Sequence, residues 1–300
     1  MFGVTILGNN SALPAYDRHP TSQVVTISDQ VLMIDCGEGT QMQLSKYKIR
    51  RSRINHIFIS HLHGDHYFGL PGLITSLGLL GREARLNIYG PPLLEGMIRP
   101  LLNAAEAYLP YQLVFIPITE EGMLLDTDKF SVKCFRVIHR IECWGFAITE
   151  KRKPRKINKQ TITNYKIPTA FFDRLKDGED YTSENGNVIS NGLVTVANTP
   201  AKTYAYCADT LYNEGMLPNI QNADLIYHET TYLKNLEVKA AERFHSTSVQ
   251  AGKIATLANA GKLLIGHFSS KYETLDEFLA ETKEVFPNTQ LAIEGVTYLV

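Results

Sequence analysis

The 300-residue sequence predicts an α/β fold on three observations. Short apolar runs end in glycine or polar residues, most of these runs are followed by a stretch with helical spacing, and the composition is that of a globular chain. A hydrophobic fraction of 44% with 20% charged residues is enough to bury one large core or two modest ones. One domain spanning residues 1–300 with an insertion is the expected organisation.

Taken in order, Met1 to Gly8 reads as a first strand and turn, since it carries neither a positively charged leader nor a small-residue cleavage site. No uninterrupted apolar stretch approaches a membrane span. Val31 to Ile34 is a strand, Asp35, Gly37 and Gly39 make a tight turn, and Thr40 to Lys46 starts a helix. Ile54 to Ser60 is a further strand that opens into His61. The composition then shifts between residues 150 and 195. There Lys151, Arg152, Lys153, Pro154, Arg155 and Lys156 lead into a polar segment with a turn at Asn185-Gly186, read as an inserted arm projecting from the core.

A formal net charge of -1 and a pI near 6.8 exclude a whole-molecule field for nucleic acid, so any polyanion contact must be local. Cys36, Cys134, Cys143 and Cys207 are scattered without C-x-x-C pairing, which predicts reduced thiols in a cytoplasmic protein, each a small core residue.

The chemistry lies in His61-Leu62-His63-Gly64-Asp65-His66, directly after an apolar strand. In extended backbone, residues two apart point the same way, so His61 and His63 can grip one ion. The turn that follows lets Asp65 and His66 face a neighbouring one. Imidazole and carboxylate without thiolate suit a hydrolytic zinc site better than a closed structural one. A dinuclear site needs further ligands. His139, Asp209 and His267 each end a strand-like run, and ligands at successive carboxyl ends converge on one sheet edge. Taken singly, each is equally compatible with a hydrogen-bonded core or capping residue.

The chain resembles the ribonuclease Z family of the metallo-β-lactamase superfamily, over nearly its whole length. The resemblance is carried by Asp35-Cys36-Gly37-Glu38-Gly39-Thr40-Gln41, the His61–His66 motif, Cys207-Ala208-Asp209-Thr210, His228-Glu229-Thr230-Thr231, His245-Ser246-Thr247 and Gly266-His267-Phe268-Ser269-Ser270-Lys271-Tyr272, in that order. It implies an αβ/βα four-layer sandwich with an arm over residues 150–195 that binds substrate. It implies two zinc ions per subunit, one held by His61, His63 and His139 and the other by Asp65, His66 and His267, with Asp209 bridging. The activity implied is an endoribonuclease that removes the 3′ trailer of precursor tRNA. The implied form is a homodimer, with neither DNA nor a membrane as partner.

Three side chains carry catalytic expectations from the same resemblance. Asp65 is the family's proton acceptor, although a pure ligand role fits the sequence as well. His245 is the candidate to protonate the leaving ribose oxygen, and Glu229 is its partner acid. Ser246 and Thr247 are expected to cap a helix over Val249 to Ala260 whose amides could meet a phosphate; a plain cap is the alternative. Asp35 either hydrogen-bonds a ligand histidine or stabilises the Gly-rich turn. His19, His56 and His228 read as ordinary residues. The basic run offers five cations for an RNA backbone, or is a solvated loop. Among rivals, a small-substrate phosphodiesterase or arylsulfatase-like hydrolase would need no arm. A diiron redox protein would carry glutamate at His63, and a non-catalytic RNA binder would have no use for an open dinuclear site.

Overall fold

The computed structural model describes residues 1–151 and 154–300, so Arg152 and Lys153 of the basic run lie outside the described residues. The chain divides into two compact units, Met1–Thr149 with Lys202–Val300 and Glu150–Ala201.

The first unit contains two seven-stranded sheets. One runs in the order Thr297–Leu299, Phe2–Gly8, Ser22–Ile27, Gln30–Cys36, Ile54–Phe58, Leu86–Gly90, Leu113–Pro117. The other runs Thr289–Leu291, Leu263–Gly266, Leu225–Glu229, Thr203–Cys207, Trp144–Glu150, Phe130–Arg136, Gly122–Asp126. The period-two rule sorts their side chains between two cores. Along Gln30–Cys36, Leu32 and Ile34 join a core shared with Trp144, Phe146 and Tyr206 of the other sheet. Val31 and Met33 join a second core with Leu44, Leu73 and Ile98 of the helices Thr40–Lys46, Leu70–Leu79 and Leu93–Ala104. Helices Ser248–Leu257 and Asp276–Val285 bring Ile254 and Phe278 to the first core. The result is helices, sheet, sheet, helices: the expected αβ/βα sandwich.

Parallel strands position the chemistry. Thr203–Cys207, Leu225–Glu229 and Leu263–Gly266 run parallel, with Cys207 beside His228 and Glu229 beside Gly266. Asp209, Glu229 and His267 therefore reach one sheet edge together. The turn expected at Asp35 to Gly39 is present. A Cβ on Gly37 would lie 2.4 Å from the Asp65 carbonyl oxygen, and Gly39 takes φ +80°, so both positions favour glycine. The packing of this turn against the His61–His66 segment rests on that absence of side chains. His139 lies three residues beyond the Phe130–Arg136 strand instead of closing it.

The second unit has its own small core of Ile162, Ile167, Leu175, Ile189 and Val194. Asn158 caps the helix Lys159–Asn164 by accepting from the amides of Gln160 and Thr161. The Tyr181–Thr182 and Val188–Ile189 strands pair across the turn at Asn185-Gly186, where Gly186 takes φ +80°. Arg155, expected to serve RNA, is partly buried and donates through Nε to Thr195 Oγ1 at 2.7 Å, while Lys156 is exposed. Among the described residues no helix is long and apolar enough to cross a membrane.

Candidate active site

Donor atoms of His61, His63, His139 and Asp209 lie within 4.8 Å of one another, and those of Asp65, His66 and His267 do likewise. His61 leaves the Ile54–Phe58 strand through Ser60; His63 then precedes the Gly64–Tyr67 turn of helix, which carries Asp65 and His66. Asp209 faces both groups. Its Oδ2 is 3.7 Å from His61 Nε2 and 3.9 Å from His139 Nε2, while Oδ1 is 3.2 Å from His267 Nε2 and 3.5 Å from His66 Nε2.

The other ring nitrogens are fixed from outside. His66 Nδ1 is 2.8 Å from Asp35 Oδ2, His61 Nδ1 is 3.0 Å from Ser60 Oγ, His139 Nδ1 is 2.9 Å from the Phe244 carbonyl, and His267 Nδ1 is 2.9 Å from Thr231 Oγ1. All four rings thereby turn Nε2 inward. His63 is reversed: its Nδ1 faces His61 Nε2 at 3.0 Å and His139 Nε2 at 3.1 Å. His66 Nε2 and Asp209 Oδ1 are buried without a hydrogen-bond partner. Orphaned donors of imidazole and carboxylate type, oriented by outer hydrogen bonds, fit a divalent metal.

Charge is strongly perturbed here. Burial lowers His61 well below its usual range and, with His139 nearby, lowers His63 to about 4. His66 is also buried, but Asp209, Asp65 and Asp35 outweigh that and raise it. Burial would raise Asp65, yet His66 and His267 hold it well below the ordinary carboxylate range. Its Oδ2 also accepts from the Ala12 amide at 2.7 Å.

Asp35 takes the role of orienting a histidine. Besides His66 it accepts from the Ser60 amide and hydroxyl at 2.7 and 2.8 Å and from Tyr206 OH at 2.7 Å.

Comparisons with known proteins decide the family. Proteins named Ribonuclease Z from Bacteroides fragilis and Parabacteroides distasonis are each 42% identical over 297 residues, covering 98% of both chains. The chain belongs to the ribonuclease Z family. Residues 2–250 also match the family model described as Anti-Pycsar protein Apyc1, so it is a member of that family too. Human tRNase Z, short form, superposes with a TM-score of 0.72 at 27% identity, over 99% of this chain and 98% of that one. A metallo-beta-lactamase fold protein from Bacillus subtilis gives 0.71 at 22% identity, over 99% and 98%, a likeness of fold. The resemblance read from the signature segments is thereby borne out.

In this ribonuclease Z family member His245 stands beside the cluster, its ring 5.2 Å from His139 and 5.5 Å from His267. Its Nδ1 is 3.0 Å from Glu229 Oε1. Burial would lower His245, but the Glu229 carboxylate raises it to about 9. Glu229 Oε1 also accepts from the Ser246 amide at 2.9 Å and the Thr210 amide at 3.1 Å, so the acid is held by backbone.

The expected phosphate site at the following helix is corrected. Thr247 caps Ser248–Leu257 in a capping box with Gln250, which occupies the Thr247 and Gln250 amides, and the Ser248 amide donates to the Tyr232 carbonyl at 3.0 Å. Those amides are spent within the fold. Ser246 does not cap; its hydroxyl donates to the Thr210 carbonyl at 2.7 Å.

Sequence reasoning gave no role to Ser60, Tyr206, Thr231 or Arg140. Thr231 Oγ1 donates to Glu229 Oε2 at 2.8 Å and lies 3.2 Å from His245 Nδ1 and 2.9 Å from His267 Nδ1, joining the pair to the donor cluster. Its place in His228-Glu229-Thr230-Thr231 was the only signal available. His228, read as an ordinary residue, is buried with Nδ1 2.6 Å from the Glu229 carbonyl. A cleft of about 920 Å³ opens onto the site, lined among others by His63, Asp65, His139, Arg140, Tyr232 and Arg243.

Proposed function

We propose that this chain is the endoribonuclease that removes the 3′ trailer from tRNA precursors, leaving a 3′-hydroxyl on the tRNA and a 5′-phosphate on the trailer. The observation that carries the reading is the Glu229–His245 pair set beside a complete His/Asp donor set, in a ribonuclease Z family chain. His61, His63 and His139 would hold one zinc ion of the subunit and Asp65, His66 and His267 a second, with the Asp209 carboxylate available to both. Bound there, the ions would neutralise the scissile phosphate and lower the pKa of the attacking water towards about 7.

The chain's own groups do the rest. Asp65 is ionised and oriented by the Ala12 amide, so its carboxylate accepts the hydrogen of the attacking water. His245, kept charged by Glu229, gives its proton to the departing ribose 3′ oxygen, which would otherwise leave as an alkoxide. Thr231 fixes the relative orientation of His245 and His267.

The Glu150–Ala201 unit, which contains the inserted arm, is the RNA-binding element, through exposed cations such as Lys156 and Lys159. Phosphate contacts of that kind position a substrate class that shares shape and not sequence. The enzyme acts as a homodimer in the cytoplasm, where a reducing environment suits its four buried free cysteines.

His63→Ala tests the division of labour. Cleavage of a precursor should be abolished while RNA affinity, measured by filter binding, stays within about twofold. Loss of RNA affinity in a folded His63→Ala protein would contradict it.

A further inference from the structure

The first unit carries an accumulation of cations away from the site. Lys46, Lys48, Arg50, Arg51 and Arg53 fall within eight residues, in a chain whose Lys and Arg total 30 against 31 Asp and Glu. Their segment alternates: Tyr47 and Ile49 pack against the core that contains Leu44, while Lys46, Lys48 and Arg50 are exposed. Backbone bonds hold that pose. The Ile49 amide donates to the Leu44 carbonyl at 2.9 Å and the Lys48 amide to the Ser45 carbonyl at 3.2 Å. Lys48 takes φ +56°, a left-handed position that favours glycine or asparagine, so its cation is presented to solvent at some cost in backbone strain. Arg82 ties in a second segment. Buried, it donates through Nη1 to the Ser52 carbonyl at 3.1 Å and through Nη2 to Asn55 Oδ1 and the Arg85 carbonyl, both at 2.8 Å, which brings the exposed Arg85 to the same end of the sheet.

Little neutralises this patch. Arg51 and Arg53 bond neutral oxygens, Ser45 Oγ at 2.6 Å and the Asp29 carbonyl at 2.9 Å. The Asp29 carboxylate is paired with Lys129 Nζ at 2.7 Å, and Glu83 is the one acid within the two segments. Burial, then Arg85 and Arg82, hold His56 below its usual range, so the positive field reaches the neighbouring strand. A solvated face ordinarily intersperses both signs, which this one does not. Arg53 immediately precedes the Ile54–Phe58 strand, whose other end leads to His61. The patch therefore lies at the opposite end of that strand from the donor cluster, roughly 20 Å away along it.

We propose that this patch is a docking surface for the RNA backbone of the precursor: Lys46, Lys48, Arg50 and Arg85 contact phosphates of a double-helical part of the substrate remote from the bond that is cut. The proposal rests on the tRNA-processing reading above and extends it to a contact within the first unit. A single phosphodiester in the cleft cannot span to the patch, whereas a stem of stacked base pairs presents regularly spaced charge over such a distance. Fixed, uncompensated cations set the register of a polyanion without reading its bases.

The test uses the full-length, zinc-loaded protein as wild type, as the triple variant Lys48→Gln, Arg50→Gln, Arg85→Gln, and as a control of equal charge change at exposed positions elsewhere, Lys133→Gln, Lys253→Gln, Lys283→Gln. Precursor affinity is measured by filter binding over a range of salt, with KM and kcat on the precursor and turnover of bis(p-nitrophenyl) phosphate. The patch variant should bind about tenfold more weakly, with the slope of log affinity against log salt shallower by about 2 to 3. Its KM should rise, while kcat and turnover of the small phosphodiester stay at wild-type values. The control should match wild type. A second readout needs no substitution: bound precursor should protect Lys46 and Lys48 of wild type from acylation, followed by mass spectrometry. A patch variant equal to the control in affinity and slope would overturn the proposal, as would Lys46 and Lys48 left unprotected. Protection by an acidic peptide and not by the precursor would also overturn it and give the patch to a protein partner. If wild type binds the precursor through the patch without cutting it, the ribonuclease reading falls and the patch assignment stands.

Discussion

At His245 two effects oppose each other, and the balance sets the protonation state of the side chain proposed as the leaving-group acid. Burial disfavours the charged ring, and the Glu229 carboxylate 3.0 Å away more than compensates, so the imidazolium persists up to about pH 9. A raised pKa means that the acid form is present below it and is lost as pH rises through it. Glu229→Gln should therefore move the alkaline limb of the kcat/KM profile to lower pH and slow cleavage. His245→Ala should cost roughly 10²- to 10⁴-fold in kcat. An unmoved alkaline limb in Glu229→Gln would remove His245 from the role of acid. Asp35 acts one shell further out, through His66, Ser60 and Tyr206. Asp35→Ala should weaken zinc binding about 10- to 100-fold by competition with a chelator; undiminished affinity would make Asp35 a prop of the turn alone. The His61–His66 part of the donor cluster was legible because three histidines and an aspartate crowd six positions. Tyr206 was not, because it meets Asp35 across 171 residues of chain and nothing local marks it. The orientation of His63 depends on ring rotamers that spacing does not encode.

Among elements, strand ends carried most of the information. Asp209 and His267 follow the Thr203–Cys207 and Leu263–Gly266 strands, as the apolar runs indicated, and parallel pairing brings them to one edge. His267 takes φ +61°, a left-handed backbone that a histidine adopts at a cost, and no sequence pattern announces it. The Ser248–Leu257 helix shows the opposite limit. Its Thr247 cap was legible, but the neighbours that consume its amides, Tyr232 among them, come from another part of the fold. Thr247→Ala should cost about 1 kcal/mol in denaturant unfolding and leave KM for precursor unchanged. A raised KM without loss of stability would return the helix start to phosphate binding.

At the scale of the whole molecule, the two sheets of the first unit share one core and a helical layer closes each side, so the site is held at a sheet edge while loops supply His139, Arg140 and Ala12. The Glu150–Ala201 unit has a separate core, and in the proposed reading it supplies cations rather than chemistry. A compositional shift made this segment visible in the sequence. Its internal strands and helices were not foreseen, since each is too short to carry a periodic signal. The central claim joins both units: a metal-dependent site cuts a substrate recognised by shape. The measurement that tests it most directly is incubation of the zinc-loaded protein with a tRNA precursor bearing a 3′ trailer, with the cut position and both new ends mapped. The account predicts a single cut after the unpaired nucleotide next to the acceptor stem, with a 3′-hydroxyl on the tRNA and a 5′-phosphate on the trailer, abolished by a chelator. An intact precursor beside brisk hydrolysis of a small phosphodiester would contradict it.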